Sequence, residues 1–77
     1  MADEHDRVVL IQSVPPEGLI KGDVGTVVHA YADGQANEVE FTTLTGVTFA
    51  VVTVASAAVR RITEHEIAHA RRIIRAD

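Results

Sequence analysis

The string His65-Glu66-Ile67-Ala68-His69 has the residue types and spacing of a metal-dependent hydrolytic site. On a helix, two histidines four residues apart share one face and can bind Zn²⁺, and the glutamate can act as base on a metal-bound water. A catalytic site needs a third protein ligand, but the extended motif would place it at position 75, which is Arg75. We therefore predict no metal site, and His65 and His69 remain candidates only for adventitious or dimer-bridging binding of Zn²⁺ or Ni²⁺.

Other catalytic arrangements are missing from the sequence. The chain has no cysteine, which excludes disulfides, thiolate chemistry and cysteine-based zinc sites. Ser13 and Ser56 have no readable His–Asp partners, and neither a phosphate-binding loop nor a dinucleotide fingerprint is present. The sequence therefore predicts a protein that is not an enzyme, with no catalytic residues and no cofactor.

The histidine string lies in a segment that is predicted to be a C-terminal helix, regular from about residue 64 to residue 75. Thr63 and Glu66 fit a capping box, in which the glutamate reaches back to the N-cap residue. Ile67, Ala70 and Ile74 have the spacing of one apolar helical stripe. Acidic side chains cluster at the start of the segment and arginines at its end, which complements the helix dipole.

Short β-type runs and tight turns precede this segment. The runs cover residues 8–11, 26–32, 38–41, 47–54 and 58–62. Asp33-Gly34 is typical of a two-residue hairpin turn, and residues 13–25 form a loop rich in proline and glycine. We predict a mainly β fold, a small five-stranded SH3-like barrel with one C-terminal α-helix. It would form a single domain over residues 1–77, with the barrel at 8–62 and the helix at 63–77.

Charge is distributed unevenly along the 77 residues, whose net charge is −4. Residues 1–58 carry −6 and residues 59–77 carry +2. An acidic body lacks the broad basic footprint of nucleic-acid-binding domains, although five arginines near the C-terminus could contact phosphate. These are Arg60, Arg61, Arg71, Arg72 and Arg75. No apolar run reaches the length of a membrane span, so we expect a cytoplasmic protein.

Residues 47–54 form an apolar strand with two apolar faces. One face carries Val47, Phe49, Val51 and Thr53, and the other carries Thr48, Ala50, Val52 and Val54. The terminal helix or another protein chain should cover the second face, because large exposed apolar patches are unusual on soluble monomers. The interaction residues predicted on this basis are Ile67, Ala70, Ile73, Ile74, Val52 and Val54.

A glycine-rich turn precedes the second run. In Gly22-Asp23-Val24-Gly25, the glycines permit a positive φ or a bulge, and Asp23 can accept backbone hydrogen bonds. We interpret Gly22, Asp23, Gly25 and Gly34 as structural turn residues.

The pattern from Val14-Pro15 through this turn to Glu38-Val39-Glu40-Phe41 resembles domain of unknown function family 4926, short bacterial proteins, over about residues 8–62. More loosely, the turn is similar to the GD-x-G-x-V turn of SH3-like barrels. The family resemblance implies genes beside putative toxins, and hence an antitoxin-like or immunity-like role.

The first functional hypothesis is a non-enzymatic protein-interaction module that binds a cognate protein or forms a homodimer. The surplus apolar surface, the acidic body and the resemblance favour it. The alternatives are a small nucleic-acid-associated barrel that uses the arginines, and a metal-binding accessory domain that uses His65 and His69.

Overall fold

The computed structural model describes residues 2–73, and these residues are mainly β, as predicted. Five strands are present: β1 (Arg7–Leu10), β2 (Val24–Ala30), β3 (Ala36–Thr42), β4 (Thr48–Ala55) and β5 (Val59–Arg61). They form one antiparallel sheet in the order β4-β3-β2-β1-β5. Two single-turn 3₁₀ helices interrupt the loops, Pro15–Glu17 before β2 and Ser56–Ala58 between β4 and β5.

The sheet cannot be flat. Four strand spacings of about 4.8 Å would place β4 and β5 roughly 19 Å apart. The chain from Ala55 to Val59 has only four Cα steps and spans at most about 14 Å. The sheet therefore curves, and Val54 of β4 and Val59 of β5 belong to the same core cluster.

The core lies on one face of this curved sheet. Side chains alternate along each strand, so Val8 and Leu10 of β1 point inward together with Val27 and Val39 of the next two strands. Leu19 reaches the same core from the loop before β2. We call the opposite side of the sheet the outer face.

A bulge in β4 explains how apolar residues from both predicted faces of this strand reach the core. The pairing of β3 with β4 shifts register near Phe49. In a regular strand Phe49 would point to the side opposite Ala50 and Val52 would point to the same side as Ala50, but with the bulge both Phe49 and Val52 pack against the core. Val54 is only 5% exposed and Val52 packs against the core. The face that we expected the helix or a partner to cover is therefore the core face, and that expectation is wrong.

The predicted C-terminal helix is not formed in the described part of the chain, because residues 62–73 are neither helix nor strand. A helix of about three turns is marginal in water unless an apolar surface covers its stripe. Here Glu66 and Arg71 are instead held by partners on the sheet and its loops. Ile74 and Arg75 lie outside the described residues.

Candidate interaction site

The C-terminal strap, which we define as residues 62–73, crosses the outer face of the sheet. It starts beside β5, where Glu66 pairs with Arg60, and reaches the start of β2, where Arg71 pairs with Asp23. Between these points it covers β1, whose Val9 is only 8% exposed although it points away from the core cluster. A groove remains between sheet and strap, and its lining includes Val9, Val24, Thr26, Ala68, Ala70 and Ile73.

The first anchor of the strap is a bidentate ion pair. The Arg71 guanidinium donates to both carboxylate oxygens of Asp23, at 2.7 and 2.6 Å, and to the carbonyl of Gly18 at 3.1 Å. Asp23 also accepts a 2.9 Å hydrogen bond from the backbone N–H of Ile20. Partial burial alone would raise the pKa of Asp23, but the hydrogen bonds from Arg71 and Ile20 outweigh burial and lower it.

The second anchor joins the strap to β5. Arg60 donates two hydrogen bonds to the Glu66 carboxylate, at 3.0 and 2.6 Å. The same carboxylate accepts the backbone N–H of Thr63 at 2.7 Å, so the glutamate half of the predicted capping box is formed. The hydrogen bonds from Arg60, with that from Thr63, lower the pKa of Glu66 to about 2.

Carboxylates neutralise the arginines that could have contacted phosphate. Besides Arg60 and Arg71, Arg61 pairs with Asp3 at 3.1 Å and with Asp6 at 3.0 Å. The backbone N–H of Asp3, together with Arg61, lowers the pKa of Asp6. Of the five arginines, Arg72 is exposed and has no ion pair within residues 2–73, and Arg75 lies outside them. Three of the five arginines therefore already have carboxylate partners in the described part of the chain.

The histidine string lacks the geometry of a metal site. Without a helix, His65 and His69 are not held one turn apart on a common face. The His65 side chain is largely exposed and lies 3.8 Å from Glu64. Within residues 2–73, no group of three or more His, Cys, Asp or Glu side chains is placed to hold a metal ion.

The predicted interaction residues fall on two sides of the sheet. On the strap, Ile67 is 95% exposed, Ala70 is exposed and Ile73 is half-buried. Val52 and Val54 lie on the core face instead. The structure therefore separates the strap residues from the strand residues, and only the strap residues are on a surface that a partner can reach.

The structural turn residues act in different ways. Gly22 has a φ of 97°, which agrees with the positive φ or bulge expected for Gly22 and Gly25, and Gly34 has a φ of 72°. Gly25 instead allows close approach, because a Cβ there would lie 2.5 Å from Cγ1 of Val39. Asp23 accepts the expected backbone hydrogen bond and also anchors Arg71, a role that the sequence did not reveal. Opposite charges 48 residues apart give no sequence signal of contact.

The curved antiparallel sheet places this chain in the class of small, mainly β proteins. The family comparison agrees with the resemblance seen in the sequence. The chain belongs to the family described as Domain of unknown function (DUF4926), which matches residues 4–61, about three quarters of its length. No curated protein and no solved structure matches the chain. The family match ends at the last residue of β5, so the strap lies beyond it.

No helix within residues 2–73 is long and apolar enough to cross a membrane.

Proposed function

We propose that this chain is a non-enzymatic protein-interaction module, with an antitoxin-like or immunity-like role, and that the C-terminal strap is the element that contacts its partner protein. The proposal rests on the exposure of Ile67, a residue that is 95% exposed in the middle of the strap. A large aliphatic side chain gains nothing from this position in the free chain, whereas burial against a partner would stabilise a complex.

The anchors of the strap are compatible with release. Arg60 and Arg71 have side chains that are 48% and 31% exposed, and solvent weakens ion pairs that are exposed to this degree. A partner that buries the apolar stripe can therefore compete with them. The stripe of Ile67, Ala70 and Ile74 has helical spacing, so we expect the strap to become helical when a partner surface covers it.

The fold supports an interaction role for a compact scaffold. The strand order, the short 3₁₀ connection between β4 and β5, and the core shared by Val54 and Val59 are typical of an SH3-like barrel. We accordingly interpret the curved sheet as such a barrel, which presents the strap on its outer face.

The partner should combine apolar and acidic groups. A released strap frees Arg71 from Asp23 and leaves Arg72 exposed beside the apolar stripe. The nucleic-acid alternative has less support, because carboxylates already pair with Arg60, Arg61 and Arg71. The metal alternative lacks a third ligand within residues 2–73.

The test uses the protein encoded by the adjacent gene as the candidate partner, with calorimetry at pH 7. We expect Ile67→Asp to weaken binding at least tenfold, which corresponds to about 1.4 kcal/mol. Ala68→Asp is the matched control, because it adds the same charge one residue away but off the helical stripe, and it should change the affinity by less than about threefold.

Circular dichroism of the same mixtures should show helix content above the sum of the two free proteins. Absence of binding by the wild-type chain, or equal losses in Ile67→Asp and Ala68→Asp, would contradict the proposal. Binding that appears only with nucleic acid and disappears at about 1 M salt would favour the alternative.

A further inference from the structure

The strand β4 lies at one edge of the sheet and, apart from the bulge at Phe49 near its start, has none of the features that usually protect an edge. It is eight residues long, and no described strand pairs with its outer side. Residues 47–59 contain no charged residue, no proline and no glycine. Edge strands that are long and uncharged present backbone N–H and C=O groups to which another strand can pair.

The opposite edge of the sheet is different. There, β5 has only three residues, and two of them are arginines held in ion pairs, Arg60 with Glu66 and Arg61 with Asp6. A head-to-tail contact between β4 of one copy and β5 of the next would therefore be short and would have to accommodate these pairs. Pairing of β4 with itself has no such obstacle, and a two-fold contact closes at a dimer instead of continuing as a fibre.

The apolar core is also incompletely covered at the β4 edge. Phe49 and Val52 pack against the core cluster but are only partly buried. On the outer face of the same strand, Val51 is 53% exposed, opposite Glu40 of β3. An added strand would cover apolar side chains on both faces, which is the usual arrangement when a strand extends a sheet.

We propose that a second copy of this chain pairs antiparallel with β4, about a two-fold axis near Val51 and Val52, to form a ten-stranded continuous sheet. The strap is anchored to Arg60 of β5 and to Asp23 before β2, and neither strand is next to β4 in the sheet. Each copy has a net charge of −4, and the uncharged strand is where two copies can approach with the least repulsion. The contact is small, so the dimer should be of the weak class.

The experiment measures molar mass by sedimentation equilibrium from about 10 to about 500 μM protein, in about 0.1 M and about 1 M salt. The wild-type chain should change from monomer to dimer over this range, with equal or tighter association at high salt. Val51→Lys should raise the dimer Kd at least tenfold, because it places two lysines near the axis. The Val51→Lys variant should still fold, because the new lysine lies directly opposite the oppositely charged Glu40 of β3.

Leu44→Lys is the matched control, because Leu44 is 79% exposed in the turn before β4 but outside the strand, and its Kd should stay within about twofold. Ile67→Asp should leave the dimer unchanged, which separates this proposal from the role of the strap. A wild-type chain that stays monomeric at the highest concentration would overturn the proposal. So would species that grow beyond a dimer, or a dimer whose Kd is the same in Val51→Lys.

Discussion

The close approach of β2 and β3 at Gly25 supplies a sharp test of the packing. Gly25 lies in β2 opposite Phe41 of β3 and is buried. A Cβ atom there would lie 2.5 Å from Cγ1 of Val39, 2.9 Å from the carbonyl oxygen of Glu40 and 3.0 Å from Cδ1 of Phe41. Even the longest of these distances is shorter than an ordinary carbon contact of about 3.5 Å. Gly25→Ala therefore requires the two strands or their side chains to move.

The size of the effect follows from what would have to move. Val39 is fully buried within the core, and the Glu40 oxygen belongs to the backbone of the neighbouring strand, so neither atom can swing into solvent. Overpacking of this kind costs about 1–3 kcal/mol, and we expect the upper half of that range. A chain of this length has a total stability of about 4–12 kcal/mol. The expected loss lowers the melting temperature by about 10–20 °C.

Urea denaturation followed by circular dichroism measures the free energy of unfolding for Gly25→Ala and for a control, Gly46→Ala. A Cβ at Gly46 meets no atom within 4 Å, and its φ of 92° gives only a conformational cost of about 1 kcal/mol. Gly25→Ala should therefore be the more destabilising of the two. If Gly25→Ala lowers the free energy of unfolding by no more than Gly46→Ala does, β2 and β3 do not pack as closely as described.

Three further predictions concern the strap and the 3₁₀ connection. The pKa of Glu66 is lowered to about 2, so its contribution to holding the strap is complete above about pH 4.5 and is lost as the pH falls through about 2, which amide NMR of the strap can follow. The pKa of Asp23 is also lowered, so its contribution is likewise lost on acidification. Ile67→Asp should change the free energy of unfolding by less than about 0.5 kcal/mol in urea, because the side chain is exposed. Ser56→Ala removes the hydroxyl that accepts a 3.2 Å hydrogen bond from the buried Asn37 amide and donates one to the Gly34 carbonyl, and it should cost about 1–2 kcal/mol. Ser56→Thr should retain most of this stability, because it keeps the hydroxyl.

The strands could be predicted because their signals are local. Alternation over residues 38–41, with Val39 and Phe41 inward, appears unchanged in β3. The turn also lies where Asp33-Gly34 indicated, but the prediction of a two-residue turn is wrong, because residues 31–35 separate β2 from β3. Within this longer turn, Asp33 accepts the backbone N–H of Gln35 at 3.0 Å. Period-two patterns and turn residues depend on neighbours within a few positions, so the sequence alone suffices for them.

The faces of β4 could not be predicted in the same way. Both faces of residues 47–54 are apolar, so composition does not distinguish the core side from the outer side. The register of β4 on β3 determines which face of β4 is the core face. It pairs Val52 with the inward Val39 and Val51 with the outward Glu40. The bulge at Phe49 is a property of that pairing and has no signature in the strand itself.

The strap could not be predicted because two sets of interactions compete for it. Helix signals in residues 63–74 are local, whereas the pair of Arg71 with Asp23 joins positions 48 residues apart. The two anchors differ in how they affect this competition. Glu66 accepts a hydrogen bond from the N–H of Thr63, and a helix that starts at Thr63 keeps this bond as part of a capping box. The start of a helix therefore does not require the second anchor, the pair of Arg60 with Glu66, to break. Arg71 lies more than one turn further on and is tied to a loop before β2, so continuing the helix changes its position relative to Asp23. The pair of Arg71 with Asp23 is therefore the anchor that opposes a continuous helix, and it is the contact that the proposed partner would have to replace.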